Sequence, residues 1–365
     1  MFLLETVKRI ERCLQSLENQ YFTDFEIIFF DYGSQPNYQI EVENICKKFS
    51  KVRYQYAETR GWLWCKAQAI NASANLATGK YVIMIDVDLI YCHNFLEIID
   101  QKVQNHTEVL LHYRCYLLPE NFTDYENLFK ISTKNFKSTG DQATGLFVAN
   151  REKLIEIGGS DEFYLIWGME DSDLSERIAK SGAKVHWFSA EEISVFHQWH
   201  PHAVSHPLIP KNWVFVVNDY KYSQTEIYRK SWYKQLIPQI TDRPALQIAL
   251  KKEFSGLKKI QICQPLERFF NEFFAKIQIP DQGLYLEYSR FDFEQNTSFF
   301  AKMIFFVNKL AQKIGTGYRI SNQEFNLTYH ILRDFVYFFI LYHRKSVKDY
   351  HFEVKNDSFR LILIT

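Results

Sequence analysis

From Glu26 to about His200 the chain alternates short β-rich runs with helical patterns. Such alternation leaves few folds open: a mostly parallel sheet covered by helices satisfies it best. The strand candidates are Glu26–Phe30, Val52–Tyr56, Tyr81–Ile85, Val109–Tyr116, Gly145–Ala149 and Lys184–Phe188, each bounded by turn or polar residues. Between them, Cys65–Ala77 brings Ala69, Ile70, Ser73 and Ala77 to one small-residue helix face, with Gly79 as terminator, and Leu174–Ser181 ends at Gly182 in the same way.

Beyond about Asn212 the alternation weakens, and Pro207–Pro210 marks a boundary between residues 1–208 and 209–365. The later part reads as a helix-rich, aromatic-rich α+β region. Leu266, Phe269, Phe270, Phe273 and Phe274 recur at helical spacing, as do Phe299, Met303, Phe306, Val307 and Leu310, and such stripes read as core faces. With 47% hydrophobic and 17% aromatic residues, including 32 Phe and 22 Tyr, the chain is far from the composition of disorder.

Lys plus Arg balances Asp plus Glu at 43 each, so no global field draws the protein onto nucleic acid. Six cysteines lie scattered without a CxxC pair, which suits a reducing cytoplasm. The opening Met1-Phe2-Leu3-Leu4 meets Glu5, Lys8 and Arg9 too soon for a signal peptide or anchor. Phe335–Tyr342, the longest late apolar run, falls well short of the roughly 20 residues that span a bilayer. No transmembrane segment is expected.

Two motifs carry chemistry. The run Lys80–Ile85 leads into Asp86-Val87-Asp88, so two carboxylates emerge at the carboxyl edge of a strand, the ligand side of open α/β sheets. Alternation predicts that Asp86 and Asp88 point the same way and approach one hard divalent cation, whose shell diphosphate oxygens complete. Further on, Trp167-Gly168-Met169-Glu170-Asp171-Ser172-Asp173 places three acids at a helix start beside a tryptophan. Favourable interaction with the helix dipole accounts for Asp171 and Asp173 but leaves the tryptophan unexplained. An indole face next to carboxylates suits a sugar, which stacks its C–H surface on the ring and donates its hydroxyls to the acids.

Both motifs resemble known ones. Asp86-Val87-Asp88-Leu89-Ile90 is similar to the DVDLI segment of β-1,4-galactosyltransferase-like enzymes and related bacterial family-two glycosyltransferases. Glu26–Ser34 resembles their strand and DxGS turn, and Trp64–Asn71 resembles the helix that begins FNRAKLLN. Trp167–Asp173 resembles WGGEDDD, and Gly145–Ala149 with Gly158-Gly159 fits the same layout. The resemblance, over about residues 5 to 200, implies a GT-A type fold and a hexosyltransferase that uses a nucleotide sugar.

On that resemblance, Asp31 contacts the nucleotide base, and Lys66 stands near the donor in place of an arginine, keeping the charge without the bidentate fork. Asp86 and Asp88 bind donor and metal. Trp167, Gly168 and Glu170 bind the acceptor, with Asp171 as general base. Val195-Phe196-His197-Gln198-Trp199-His200 follows where related enzymes supply a late metal ligand, so His197 and His200 complete the set. Carboxylates with imidazole favour Mn²⁺, with Mg²⁺ also accommodated.

The implied reaction is inverting transfer from a UDP-sugar to a saccharide hydroxyl in surface polysaccharide synthesis. Related domains open with a strand and a Pro-containing loop, whereas this chain starts in what reads as the next helix, Thr6–Leu17, so that first strand is expected to be missing. The alternative is a catalytically degenerate carbohydrate-binding or scaffold relative. A nucleotidyltransferase would want a Gly-rich loop with a basic residue near the start, and a zinc hydrolase an HExxH or comparable spacing; neither is present. Lys251, Lys252, Lys258 and Lys259 beside apolar segments suggest peripheral contact with the inner face of the membrane or with an assembly partner.

Overall fold

The computed structural model describes residues 2–105, 108–140, 144–201, 210, 213, 216–218, 237–261, 283–289, 333–334, 336–341, 344, 347–355 and 358–364. The chain divides into two compact units. Unit 1 comprises Met1–Ala57, Trp64–Ser205 and Val214–Ile237, and unit 2 comprises Glu58–Leu63, His206–Trp213 and Pro238–Thr365.

Unit 1 opens with helix α1 (Phe2–Glu18), which buries Ile10, Cys13, Leu14 and Leu17 at helical spacing. Strand β1 (Ile27–Tyr32) pairs in parallel with β2 (Val52–Ala57). The crossover between them is α2 (Pro36–Cys46), begun by a proline whose fixed φ suits a first helical turn. Val42, Ile45 and Cys46 of α2 pack with Ile10 and Leu14 of α1. Helix α3 (Lys66–Leu76) buries Ala67, Ile70, Asn71 and Ala74, a face turned from the one expected, with Ala69 and Ser73 only half-buried.

Next come β3 (Tyr81–Ile83), β4 (Leu89–Tyr91), α4 (Phe95–Asn105), β5 (Val109–Tyr113), β6 (Tyr116–Leu117), β7 (Lys137–Ser138), β8 (Phe147–Asn150), α5 (Arg151–Glu156), α6 (Glu170–Lys180), β9 (Lys184–Phe188) and β10 (Val195–His197). They form two four-stranded sheets, β3-β8-β5-β9 and β4-β10-β6-β7. Strand β5 is buried along its whole length, and Leu111, Tyr113, Val148, Leu89, Tyr91, Phe95 and Val195 form the core beside it.

The α/β alternation is present, but the pairing is mixed, not mostly parallel. Strands β1–β2, β5–β9 and β6–β10 run parallel, while β3–β8, β5–β8, β4–β10 and β6–β7 run antiparallel. The cause is local: β8 enters between β3 and β5 against both, and β4 lies antiparallel beside β10.

In unit 2, helix α7 (Pro244–Lys251) is followed by β11 (Lys258–Gln261), β12 (Leu284–Ser289), β13 (Asp349–Val354) and β14 (Ser358–Ile364), in the order β11-β12-β14-β13. Its described part is thus largely a sheet. The two stripes Leu266–Phe274 and Phe299–Leu310 lie outside the described residues. Lys258 and Lys259 belong to an edge strand, and Lys251 and Lys252 end a helix; all four are exposed. Among the described residues no helix is long and apolar enough to cross a membrane.

Candidate active site

Strand β3 stops at Ile83, two residues before the predicted end, although the Met84 amide still donates to the Phe147 carbonyl at 2.8 Å. The chain then leaves strand geometry, so the alternation that would align Asp86 with Asp88 no longer operates. The two carboxylates take different partners. Asp86 Oδ1 lies 3.6 Å from Lys66 Nζ, and Asp88 Oδ2 lies 2.8 Å from His200 Nε2 and 3.6 Å from His197 Nε2.

Asp88 meets the histidines because β4 and β10 pair with Leu89 opposite His197, and the Gln198 amide donates to the Asp88 carbonyl at 2.8 Å. Asp88, His197 and His200 offer three ligand atoms within 4.8 Å of one another. Asp88 Oδ1 is buried with no hydrogen-bond partner, which costs free energy unless something positive fills the place. His200 Nδ1 lies 3.0 Å from the Pro201 carbonyl, which can only accept, so Nδ1 carries a proton; Nε2, which faces Asp88, is the atom that would turn to a metal once its own proton is displaced. Burial would raise the Asp88 pKa, but the hydrogen bond from His200 and the charge of His197 hold it below the usual carboxylate value. This set of two imidazoles and a carboxylate fits a divalent transition metal, Mn²⁺ included.

Lys66, at the first turn of α3, bridges to the second group of acids: its Nζ is 3.2 Å from Asp171 Oδ2. Burial alone would lower the ammonium's pKa; Asp86 and Asp171 outweigh it and raise it, so Lys66 is a permanent cation. Asp171 Oδ1 is buried and unpaired. Gly145 lies against this pair. A Cβ there would come within 2.6 Å of Asp171 Oδ2, although the backbone of Gly145 is not in the left-handed region.

Asp171 and Glu170 open α6, where the helix dipole favours negative charge. Glu170 Oε2 accepts the Gly168 amide at 2.9 Å, and burial, then the neighbouring Asp171, push its pKa up. The loop before it is strained: Ile166 and Met169 sit at φ 65° and 68°, with Gly168 at 111°. A β-branched residue at positive φ is a rare cost, and such costs gather at functional sites. The Ile166 amide is tied to the Trp64 carbonyl at 2.7 Å. Trp167, with 44% of its surface exposed, is presented to solvent.

Asp31 is buried, and its oxygens take the Ser34 amide at 2.9 Å and the Tyr54 hydroxyl at 2.7 Å, so the visible work of its side chain is to shape the turn. Beside it, Tyr32 stands edge-on to the exposed Trp64, their ring centroids 5.0 Å apart. The structure thus brings Lys66, Asp86 and Asp171 together, and separately Asp88, His197 and His200. Sequence reasoning read Gly145 only as the start of a strand and gave Gln198 no role; a polar residue between two histidines after an apolar strand was the available signal for the latter.

Comparison with known proteins bears on the same region. Residues 4–159 match the glycosyl transferase family 2, and residues 128–201 match the N-terminal domain of galactosyltransferase. A probable N-acetylgalactosaminyltransferase 9 of Caenorhabditis elegans is 25% identical over 205 residues, 48% of this chain and 35% of that protein. Glycosyltransferase GlyG of Streptococcus pneumoniae is 29% identical over 102 residues, 28% of this chain and 33% of that one. The chain therefore spans about a third of the length of these curated relatives. Among solved structures, S. aureus TarS 1-349 in complex with UDP-GlcNAc aligns at 14% identity and TM-score 0.45, covering 96% of this chain and 92% of that one.

Proposed function

From residues 4–201, which carry glycosyltransferase sequence of the family-two and galactosyltransferase types, we propose that the protein transfers a sugar from a UDP-sugar to a saccharide hydroxyl with inversion, in surface polysaccharide synthesis. The observation that carries this reading is Lys66, held between Asp86 on the donor side and Asp171 on the acceptor side. One cation touching both carboxylates puts the two halves of a displacement within a side chain's reach.

Asp171 removes the proton from the acceptor hydroxyl through its unpaired oxygen. The hydroxyl oxygen then bonds to the anomeric carbon as the bond to the diphosphate oxygen breaks, and the electron pair leaves with UDP. Lys66 and Asp86 border the diphosphate, the lysine offsetting charge that develops there. Trp167 and Glu170 orient the acceptor, the indole by its face and the carboxyl by hydrogen bonds. Asp88, His197 and His200 would hold Mn²⁺, or Mg²⁺ in its place. When bound, that ion supplies Lewis-acid stabilisation of the leaving group.

The test is a thermal-shift titration with UDP, with and without Mn²⁺, on wild type, Asp88→Ala and Asp171→Asn. A ligand that binds only the folded state at 100 times its dissociation constant adds about 2.7 kcal/mol. Manganese-dependent stabilisation is expected in wild type and Asp171→Asn and lost in Asp88→Ala, with turnover of a UDP-sugar lost in both variants. No shift at millimolar UDP would sink the reading, and a shift without turnover of any UDP-sugar would point to a carbohydrate-binding relative.

A further inference from the structure

Gln198 is a neutral polar residue with 0% of its surface exposed, between the two histidines of the candidate metal triad. Burying an amide costs free energy unless its groups are bonded, and here they are. Its side-chain Nε2 donates to the Arg9 carbonyl at 3.1 Å, its Oε1 accepts from Arg12 Nη1 at 3.0 Å, and its backbone amide donates to the Asp88 carbonyl at 2.8 Å. Arg12 is itself seated, its guanidinium 3.9 Å from the centre of the Tyr125 ring. From the other side, the Leu118 amide donates to the His197 carbonyl at 3.0 Å.

These bonds reach helix α1, the Asp88 turn and the residue just past strand β6 from one short segment. They fix His197 and Gln198 relative to Asp88, two residues before His200. We propose that Gln198 is a positioning residue for the cation site, pinning the His197–His200 segment to α1 and to the Asp88 turn so that three ligand atoms converge before a metal arrives. The inference rests on the metal reading of the triad. It adds a requirement that the ligands alone do not contain: the site needs the Arg9 carbonyl and the Arg12 side chain of α1, far from it in sequence. The bonds that satisfy the buried amide all go to one helix while its own backbone holds the ligand turn, so the same contacts tie the ligand segment to α1.

The test uses the full chain and Mn²⁺ alone, with free ion counted by its EPR signal and folding followed by the thermal midpoint. Gln198→Met keeps the length and removes both side-chain bonds; Arg12→Met removes one and leaves Gln198 in place. Loss of such outer partners weakens metal binding by about 10–100-fold. The expected result is a drop of about 10-fold or more for Gln198→Met and a smaller one for Arg12→Met, both at temperatures where each variant is folded. Wild-type affinity in a folded Gln198→Met overturns the proposal, because a packing role would lower the midpoint and spare the metal. Should Gln198→Met fail to fold, unchanged affinity in Arg12→Met overturns it instead. A wild type that takes up no Mn²⁺ overturns the metal reading and this inference with it, whereas binding in wild type with unaltered variants overturns this inference alone.

Discussion

Glu170 shows how a single carboxyl can be placed against the stability of the fold. Only 7% of its surface is exposed, and its pKa is raised by burial and then by Asp171. An acid with a folded pKa above its unfolded one binds its proton more tightly when folded. Its contribution to stability is therefore complete below the unfolded value, near 4.5, and is lost as pH rises through the higher folded pKa. Once ionised, Glu170 is a carboxylate that folding disfavours, which makes sense if the charge serves an acceptor hydroxyl. Glu170→Gln keeps an oxygen for the Gly168 amide and removes the charge. It should be at least as stable as wild type at pH 7, with a flatter dependence of the unfolding midpoint on pH above 4.5, while acceptor saturation weakens. A midpoint that falls at pH 7 would show that the ionised form is stabilising and that this account of the site is wrong.

At the scale of elements, the site depends on how closely the turn before β8 approaches the first turn of α6. Gly145 permits it. Because its backbone is not in the left-handed region, what an alanine would lack there is space, with Asp171 Oδ2 at 2.6 Å and Lys66 Nζ at 3.5 Å from the added carbon. Gly145→Ala should leave the fold and Mn²⁺-dependent UDP binding near wild type and lower kcat by about 10² or more, since a misplacement of about 1 Å costs that much. Unchanged kcat would show that the Asp171 carboxylate has room to shift without harm. Elements with strong periodicity or apolar runs were legible in the sequence: β1, β2, β8 and β9 fall within two residues of their expected bounds, whereas the run expected as one strand over Val109–Tyr116 is divided between β5 and β6. Strands β4 and β10, three residues each, carry no period to read, yet their pairing is what joins Asp88 to His197. Helix α6 begins at Glu170, earlier than Leu174, because its first turn is polar and hydrophobic spacing is blind to it. Asp86 and Asp88 were visible as residues, but the different partners they take depend on where β3 stops, which pairing with β8 decides.

At the scale of the molecule, unit 2 is assembled from separate stretches of chain, and one fully buried ion pair ties two of them, Glu58–Leu63 and Pro238–Thr365. Arg243 Nε donates to Asp349 Oδ1 at 2.8 Å, with both side chains sealed from solvent. The same guanidinium donates to the carbonyls of Glu58, Arg60 and Tyr350, and its carbon lies 4.3 Å from the centre of the Trp62 ring. Asp349 in turn accepts the Trp62 indole N–H at 2.9 Å and the Ala245 amide at 2.9 Å at the start of α7. Among the described residues, every bond from Arg243 except the one to Asp349 goes to a neutral acceptor, so Asp349 is the carboxylate that balances the arginine's charge there. Replacing both partners with matched apolar groups could be neutral, but removing one leaves a charge stranded in the interior at a cost of about 3–5 kcal/mol. Asp349→Ala should therefore lower the stability of unit 2 by that amount. With a urea dependence of about 1–3 kcal/mol per molar, the unfolding midpoint falls by roughly 1 M or more. A midpoint equal to wild type would mean that water reaches Arg243 once the carboxylate is gone, and that residues 58–63 are held to the unit by packing around Trp62 and Leu63 instead of by the ion pair.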